Sequence, residues 1–514
     1  MFGPLFSWKG TLSNSSRVPH RAGVLLRAIA LLAVVLAVTS GLASASGYTV
    51  KFFGAASGGT PFTSGCNGAP QSGTNYPGTE VEPYVAVNPT NSQNVIGVYQ
   101  QDRWSSGGSN GLVTSFSNDG GKHWSQRVPH FSRCSGGNAT NGGDYERATD
   151  PWVTFAPNGD AYQISDSFND SNPVTAILVS KSTDGGATWS EPTTLLRSSG
   201  LRDSAYAFND KESITADPTN SNYVYAIWDQ LVSPNTGSRA SYSGYEHART
   251  YRGPTWFSRT TDGGQTWEPA RIIYDPGQTN QTIGNQIVVL PDGTLVDVFT
   301  LISNYANPQG TRGLNVAIIR STDKGLTWSQ PVIVSNELSI GVPGVRTGDI
   351  IPEIAVNPAN GNLYTVWQDS RFSNGAHDDV AFSMSTNGGS TWSQPVKINR
   401  SPANIAAFTP QVHVASDGTV GVSYYDLRNS TSTSPFLTDY WMVHCHGSCT
   451  NSSNWSETHV SGAFDMATAP NAGGYFLGDY EGLGNIGTAF MPFFARTTSS
   501  QSIATDIYAA KVGP

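Results

Sequence analysis

The sequence predicts an all-β protein built from repeated four-stranded units. Three observations support this: a hairpin-forming phrase occurs five times, a second phrase recurs at regular spacing, and the chain after residue 45 has no sustained apolar period of about 3.6 residues. The composition agrees, because 55 glycines and a charged fraction of 13% suit short strands joined by tight turns. Repetition therefore favours one large repeat architecture in this chain of 514 residues.

The hairpin phrase reads S/T-x-D-x-G-x-x-W. Its Asp accepts hydrogen bonds from backbone N–H groups just downstream, and its glycines supply the positive φ angles of a tight turn. The Trp that follows covers the hairpin with a large apolar face. Because the phrase presents no reactive group, we interpret it as structural. Its copies span residues 117–124, 182–189, 260–267, 321–328 and 385–392, the last with Asn in place of Asp.

The second phrase is a short apolar strand that begins with a polar residue and ends at a Pro, Asn or Gly turn. Its successive starts are 58 to 74 residues apart, which is the size of a four-stranded blade. The sixth unit has residues 445–454 in place of the hairpin phrase. The starts are Glu82, Asp150, Glu212, Gln286, Glu353 and Gln411.

A seventh start at Tyr480 leaves enough chain for about three strands. Residues 48–53, which have the pattern of a strand, could supply the fourth. Pairing the two ends of the chain would close a ring and remove the open sheet edges that invite aggregation. We therefore predict a β-propeller of four-stranded blades, with seven blades favoured over six, formed by a single domain over residues 46–514.

Residues 1–45 are predicted to be a secretory signal peptide. Four basic residues precede an apolar core at 28–38, and residues 43–45 (Ala-Ser-Ala) fit a cleavage site. An uncleaved membrane anchor is the alternative, although the apolar core is short for a full span. Without this leader the chain has 25 basic against 38 acidic residues, which disfavours a nucleic-acid partner. We expect a secreted monomer with no membrane contact after cleavage.

The cysteine content also fits an oxidising compartment. The four cysteines are Cys66, Cys134, Cys445 and Cys449. The last two are close enough to close a small loop and the first two would then pair, although four cysteines allow three connectivities. A metal site is the alternative, because His444 and His446 flank one of the cysteines. We predict no cofactor, with Ca²⁺ left possible among the many loop aspartates.

Two groups of residues are expected on one face of the ring. The long loops fall on this face, at residues 138–148, 231–254, 303–312, 335–349 and 370–379. The starts of the innermost strands lie there as well, nearest the axis. Carboxylates that converge raise one another's pKa, which is how one of them becomes a general acid. The converging candidates are Glu82, Asp150, Glu212, Glu353 and Tyr480.

Arginines also reach this face. Arg147 and Arg346 lie on crossing loops and do not repeat, so they are candidates for gripping an anionic substrate in bidentate fashion. Arg371 is a further candidate for substrate binding, together with Glu82. However, Arg103, Arg371 and Arg428 each follow an Asp at the end of a second strand, and this repetition favours structural Asp–Arg pairs between blades.

The hairpin phrase resembles the Asp-box (BNR) repeat of sialidases, and with its leader and blade period the chain is similar to bacterial secreted sialidase-type proteins. Sialidases use an Arg triad, an Asp acid/base and a Tyr nucleophile activated by a Glu. The resemblance implies Tyr480 as the nucleophile and Asp150 as the acid/base. It implies Glu212 or Glu353 as the partner of Tyr480. The chain departs from the family pattern at residues 82–84, which replace an Arg-Ile-Pro phrase, and it shows no clear Arg triad.

The leading hypothesis is therefore a secreted sialidase-like glycoside hydrolase that acts on glycans bearing an acidic sugar. Two alternatives are a non-catalytic propeller that binds glycan or protein, and a polysaccharide lyase on the same scaffold. The sequence has no phosphate-binding loop, Ser-His-Asp phrase or zinc-ligand spacing that would favour another class.

Overall fold

The computed structural model describes residues 47–199, 201–202, 205–233, 252–304, 313–498 and 504–514. These residues form an all-β structure whose helical parts are short 3₁₀ turns, at Arg133–Ser135, Ser370–Ser373, Ser452–Asn454 and Met466–Thr468. In the described ranges no helix has the length and apolar character needed to cross a membrane. The predicted signal peptide lies outside the described residues, and its cleavage stays a prediction.

The strands are short, as the glycine-rich composition predicts. In chain order they are β1 (Thr49–Ala55), β2 (Glu80–Val87), β3 (Val95–Arg103), β4 (Ser109–Ser117), β5 (Ser125–Arg127), β6 (Arg147–Phe155), β7 (Ala161–Phe168), β8 (Thr175–Ser182), β9 (Thr193–Ser198), β10 (Leu201–Arg202), β11 (Ala205–Ala216), β12 (Val224–Ser233), β13 (Thr255–Thr260), β14 (Arg271–Tyr274), β15 (Gln281–Val289), β16 (Leu295–Ser303), β17 (Gly313–Ser321), β18 (Val332–Asn336), β19 (Val345–Arg346), β20 (Glu353–Val356), β21 (Leu363–Asp369), β22 (Asp379–Ser385), β23 (Val396–Lys397), β24 (Ala407–Val414), β25 (Val420–Asp426), β26 (Leu437–Cys445), β27 (Ser456–Asp465), β28 (Tyr475–Phe476), β29 (Gly482–Ile486), β30 (Ala489–Thr497) and β31 (Thr505–Gly513).

Strand pairing groups most of these strands into four-stranded antiparallel units. Strands that are consecutive in the chain pair with each other, so each unit is an up-and-down sheet. The units are β2 to β5, β6 to β9, β11 to β14, β15 to β18, β20 to β23 and β24 to β27, together with β29, β30, β31 and β1. In addition, β10 extends β11, the pair Ser109 and Ala148 joins the first two units, and β19 pairs with β28 in parallel.

The two ends of the described chain meet in one sheet. β1 pairs antiparallel with β31, from Thr49 opposite Gly513 to Ala55 opposite Tyr508. The Phe53 ring stacks on the Tyr508 ring at a centroid distance of 5.1 Å across this pair. The pairing covers the edge that β31 would otherwise expose to another chain.

The hydrophobic core lies between successive units. Ile96 and Val98 of β3, for example, pack in one buried cluster with Val153 and Phe155 of β6. Alternate side chains of a strand point to opposite faces of its sheet, so each sheet can contact a neighbour on either side. The inner strands are largely buried although they contain polar and charged residues, so these polar groups need hydrogen-bond or ion-pair partners within the fold.

The repeated hairpin phrase forms the turn that the sequence predicts. Asp184 Oδ1 accepts from the backbone N–H of Thr188 at 2.9 Å, and Gly185 and Gly186 have φ of 73° and 93°. The Trp of each copy is partly buried against a hydrophobic cluster. The corresponding carboxylate or amide bonds form at Asp119, Asp262, Asp323 and Asn387. The structural interpretation of the phrase is confirmed at the level of its hydrogen bonds.

Two disulfides are present, and both pairings expected from the sequence are confirmed. Cys66 pairs with Cys134 and connects the segment before β2 to a 3₁₀ turn after β5. Cys445 pairs with Cys449 in the turn between β26 and β27, where this unit lacks the hairpin phrase. A short covalent loop therefore replaces the Asp-centred hydrogen bonds in the sixth unit.

Candidate functional site

A β-bulge interrupts the innermost strand of five units, at the same register in each. In β2, β6, β11, β15 and β24, two residues oppose one residue of the partner strand. Glu82, Asp150 and Lys211 occupy these bulges with φ of 53°, 48° and 50°, whereas Gly284 and Thr409 occupy the other two. A left-handed conformation in a non-glycine residue costs about 1–3 kcal/mol, and a bulge re-aims a side chain. This repeated strain points to a function for the three charged side chains.

The three charged bulge residues meet at one point. Lys211 Nζ donates to Asp150 Oδ1 at 2.8 Å and to Glu82 Oε1 at 3.2 Å, and it donates to Asp479 Oδ2 at 2.8 Å. An ammonium group has three N–H donors, so these contacts can use all of them. We call Lys211, Glu82, Asp150 and Asp479 the Lys211 cluster.

Asp479 is held by a second cation as well. Arg346 Nε donates to Asp479 Oδ1 at 3.0 Å, and Arg346 Nη2 donates to Asp479 Oδ2. Burial alone would raise the pKa of Asp479, but Arg346 and Lys211 hold that pKa well below its usual value. Asp479 is therefore a permanent anion that fixes both cations in place.

Glu82 and Asp150 have further hydrogen bonds that fix their orientation. Gln100 Nε2 donates to Glu82 Oε2, and Thr149 Oγ1 donates to Asp150 Oδ2 at 3.0 Å. Burial raises the pKa of Glu82 to about 7, although Lys211 opposes that shift. Burial would lower the pKa of Lys211, but the carboxylates around it raise that pKa well above its usual value. The lysine is therefore a fixed positive charge at neutral pH.

Asp210 is the carboxyl group next to the cluster that remains open to a ligand. It lies beside Lys211 in β11 and is only partly buried. Within the described part of the chain, no donor forms a hydrogen bond with its side chain. Burial raises the pKa of Asp210 well above its usual value, and the charge of Asp150 raises it further. Asp210 therefore retains a proton at a pH where an ordinary aspartate has lost it.

These groups line a cavity of about 490 Å³, which is within the usual size of small-molecule sites. The charged wall carries the Lys211 cluster, Asp210 and Arg103. Residues 339–343 and 345–351 form another wall, and those up to Asp349 lie in a long loop, 335–349, that is expected on the functional face. The apolar side chains of the lining are Phe168, Phe208, Ile283, Leu314, Ile340, Val342, Val345, Ile350 and Ile351. The cavity thus combines a few convergent polar groups with an apolar wall.

Tyr480 does not have the surroundings of a nucleophile, and this part of the sequence prediction needs correction. Its hydroxyl donates to the carbonyl oxygen of Pro151 at 3.3 Å, and its ring contacts Trp152 at a centroid distance of 5.2 Å. Burial raises the pKa of Tyr480 well above its usual value, and the nearby carboxylates raise it further. No described atom of Tyr480 lines the cavity. A nucleophile needs a lowered pKa or a base that accepts its proton, whereas the hydroxyl of Tyr480 has a raised pKa and its hydrogen bond among the described residues goes to a backbone carbonyl oxygen.

Glu212 and Glu353 also lie away from the cavity, because the register of the inner strands differs from the expectation. Glu353 pairs with Val366. In the register of its unit this is the position of Tyr84 and Trp152, each of which lies two residues after the bulge residue of its own strand. Glu212 follows Lys211 by one residue, and its Oε1 accepts from the backbone N–H of Asp166. Neither glutamate is among the described residues that line the cavity.

The three candidate arginines have different surroundings. Arg147 is fully buried, and its guanidinium donates to Gln71, Ser106, Gly107 and Ser72, so its role is structural. Arg371 Nε and Nη2 donate to Asp369 at 2.8 and 2.7 Å, an Asp–Arg pair that Asp426 and Arg428 repeat. Both pairs lie within one unit rather than between units. Arg346 alone of these three lines the cavity, where it holds Asp479.

The sequence interpretation missed Lys211, Asp210 and Asp479, and one signal could have revealed the first of these. Glu82 and Asp150 are each followed by Pro, which marks the residue after the bulge. Alignment on that proline places Glu212 at the proline position and Lys211 at the position of Glu82 and Asp150. The described residues contain no group of three or more His, Cys, Asp or Glu side chains that could hold a metal ion.

Glu353 supplies a prediction about stability. Burial raises the pKa of Glu353 to about 8, although hydrogen bonds from Gln286 and Gln411 oppose the shift. A carboxyl group whose pKa is raised on folding stabilises the protein fully below its unfolded pKa, and this contribution is lost as pH rises through the folded pKa. We expect Glu353→Gln to remove this loss. The free energy of unfolding of this variant, relative to that of the wild type, should increase by about 3 kcal/mol between pH 5 and pH 8.

Chemical denaturation of both proteins over that pH range measures the difference. A difference between the two proteins that does not change with pH would contradict the raised pKa of Glu353.

Comparisons with known proteins found remote likenesses. No protein-family model matches the sequence. The xyloglucanase Xgh74A of Acetivibrio thermocellus is 26% identical over 218 residues, which cover 32% of this chain and 23% of the xyloglucanase, so the match spans less than a quarter of that protein.

Three solved structures cover most of this chain. A protein of unknown function from Dyadobacter fermentans is 12% identical with a TM-score of 0.48, and the match covers 91% of this chain and 99% of that one. The α-L-arabinofuranosidase Arb93A of Fusarium graminearum is 12% identical with a TM-score of 0.45, over 91% and 97%. The Hadza microbial sialidase Hz136 is 17% identical with a TM-score of 0.46, over 82% and 74%. Because every TM-score is below 0.5, the proposed function rests on the side chains of this chain.

Proposed function

We propose that this protein is a secreted glycoside hydrolase with a β-propeller fold of seven blades, and that its active site is the cavity lined by Asp210 and the Lys211 cluster. The observation that carries the proposal is the convergence of Glu82, Asp150 and Lys211, three strained bulge residues from neighbouring units, on one cavity wall. Strain of this kind is maintained where a site must be preorganised. The two disulfides agree with secretion.

Two carboxyl groups with opposite protonation states are what glycosidic bond cleavage requires. Asp210, with its raised pKa, donates its proton to the glycosidic oxygen as the bond from that oxygen to the anomeric carbon breaks. Asp150, ion-paired with Lys211, is the carboxylate that supports the positive charge developing on the sugar ring. The anomeric configuration of the product shows whether Asp150 attacks the anomeric carbon itself or activates a water molecule.

The rest of the cluster positions this pair. Lys211 donates a hydrogen bond to Asp150 Oδ1 at 2.8 Å, which fixes the orientation of this carboxylate in the cavity wall. Asp479 and Glu82 in turn hold the lysine from two other sides. The groups that carry the charge are thus fixed before substrate binds, which is the preorganisation that electrostatic catalysis needs.

We propose a neutral glycan as the substrate. The described cavity lining contains more carboxyl groups than cationic groups, and Arg346 and Lys211 are already paired with Asp479. A sugar carboxylate would therefore meet an excess of negative groups. An acidic sugar, as the sialidase resemblance implies, is the second candidate, because Arg103, Lys211 and Arg346 line the same cavity.

A substrate panel tests this proposal. The purified protein is incubated with aryl glycosides of neutral pyranoses and furanoses, with an aryl sialoside, and with neutral polysaccharides whose new reducing ends are measured. We expect release from a neutral glycoside and none from the sialoside. Turnover of the sialoside alone would establish the second candidate. Saturable binding without any product would show a binding protein, and unsaturated products that absorb ultraviolet light would show a lyase.

A further inference from the structure

A second cavity adjoins the active-site cavity. It has a volume of about 730 Å³ and is bounded by the start of β17, the end of β18 and the 3₁₀ turn Ser370–Ser373. The two cavities share three lining residues, Leu314, Ser339 and Ile340. A ligand that fills the first cavity can therefore continue over these residues into the second.

Hydrogen bonds to one carboxylate hold the backbone of the shared wall, which we call the ridge. The buried Asp378 carboxylate accepts from Ser339 Oγ at 2.7 Å and from the backbone N–H groups of Ile340 and Gly341 at 3.0 and 2.9 Å. The side chain of Ile340 is nevertheless 54% exposed. A fixed backbone thus presents an apolar side chain to solvent between two cavities, and apolar groups of this kind contact the C–H faces of sugar rings.

Glu337 lies in the wall of the second cavity with one oxygen unused. The residue is 3% exposed, and its Oε2 accepts from Thr300 Oγ1 at 2.9 Å. Its Oε1 is buried and has no hydrogen-bond partner among the described residues. A buried polar atom without a partner destabilises the protein, so a ligand hydroxyl that forms a hydrogen bond with it would bind favourably. Burial raises the pKa of Glu337 well above its usual value, which makes it a neutral hydrogen-bonding group.

We propose that the second cavity is a subsite for the neighbouring sugars of a neutral oligosaccharide, in which Glu337 binds a sugar hydroxyl and Ile340 supports the chain across the ridge. This rests on the proposed function for the identity of the first cavity, but it concerns binding alone. A neutral carboxyl group both donates to and accepts from hydroxyl groups. The nearby carboxylates of Asp349, Asp369 and Asp378 disfavour an anionic ligand at this place.

Equilibrium binding to the Asp210→Asn protein tests the proposal without hydrolysis. The probes are cello-, xylo- and arabino-oligosaccharides of one to four sugars. At least one series should bind about 10-fold more tightly when it is lengthened from one sugar to three. In that series Glu337→Met should weaken binding of the trisaccharide by about 3- to 10-fold, the value of one hydrogen bond, and leave the monosaccharide unchanged. Glu337→Gln should restore most of the loss.

Matched variants serve as controls. Glu353→Met changes another buried glutamate that has an unpartnered oxygen but lies outside both cavities. Ile333→Ala changes another exposed isoleucine. Ile340→Ala should weaken trisaccharide binding, whereas Ile333→Ala should leave it unchanged. Three outcomes would overturn the proposal: an affinity that does not depend on chain length, equal effects of the Glu337 and Glu353 variants, or no binding of any probe. Length-dependent binding by a wild-type protein that hydrolyses none of the probes would support the subsite and contradict the proposed hydrolase activity alone.

Discussion

Replacing Asp210 by asparagine is expected to lower kcat/KM by about 10²- to 10⁴-fold on a glycoside with a poor leaving group. Asparagine keeps the shape of the side chain but cannot donate an acidic proton to the departing oxygen. Since Asp210 has no hydrogen-bond partner among the described residues, the substitution should change the fold little.

The leaving group separates this role from a general loss of structure. Dinitrophenolate is a leaving group that departs without protonation. For a dinitrophenyl glycoside, the rate at which Asp210→Asn breaks the glycosidic bond should therefore be close to the wild-type rate. Asp150→Asn should lose activity on both substrates, because Asp150 supports the sugar rather than the leaving group. Equal losses of Asp210→Asn on the two substrates would remove Asp210 from the role of general acid.

The second large effect is expected on stability. Lys211→Met should lower the free energy of unfolding by about 3–5 kcal/mol at pH 7, because it leaves Glu82, Asp150 and Asp479 buried without the ammonium they share. Part of the loss should be recovered at low pH, where Glu82, whose pKa is raised to about 7, takes up a proton. Arg346 still pairs with Asp479 in this variant. The loss of stability therefore comes mainly from Glu82 and Asp150, which lose the ammonium group that they share.

Denaturant unfolding of the wild type and the variant measures this loss. Lys122→Met is the control, because Lys122 is an exposed residue of a hairpin turn and its replacement should change stability by less than about 0.5 kcal/mol. A loss below about 1 kcal/mol for Lys211→Met would mean that the cluster is not the strained, buried ion network on which the proposed site depends.

Local chemistry made much of the fold predictable from sequence. The hairpin phrase determines its own turn, because the Asp184 carboxylate and the glycine φ angles act within eight residues of chain. The disulfide between Cys445 and Cys449 is equally local. The all-β architecture follows from repetition of these local units, and sequence reveals repetition directly.

The site was harder to predict, because it depends on register between strands. One inserted residue in β11 moves the cavity-facing position from Glu212 to Lys211. The sequence shows polar residues at both positions, and only alignment with the units that have a proline after the bulge indicates which one the bulge turns inward. Tyr480 illustrates the same error, since its neighbour Asp479 is the residue that binds Lys211.

The sequence predictions for the arginines failed for a different reason. Arg147 lies near the expected face, but its donors are used by the side-chain and backbone oxygens of loops that converge on it from distant parts of the sequence. A sequence pattern cannot reveal that an arginine is already satisfied, because its partners are set by tertiary structure. Of the three arginines named as substrate-binding candidates, Arg346 lines the described cavity through its pair with Asp479, and its role in substrate binding stays a prediction.

The position of a bound glycan tests the central claim most directly. A crystal structure of the Asp210→Asn protein with an oligosaccharide from the substrate panel should show a glycosidic oxygen within hydrogen-bond distance of residue 210. The sugar ring on its non-reducing side should lie against Asp150. A glycan bound on another surface, with the cavity beside the Lys211 cluster empty, would contradict the claim that this cavity is the active site.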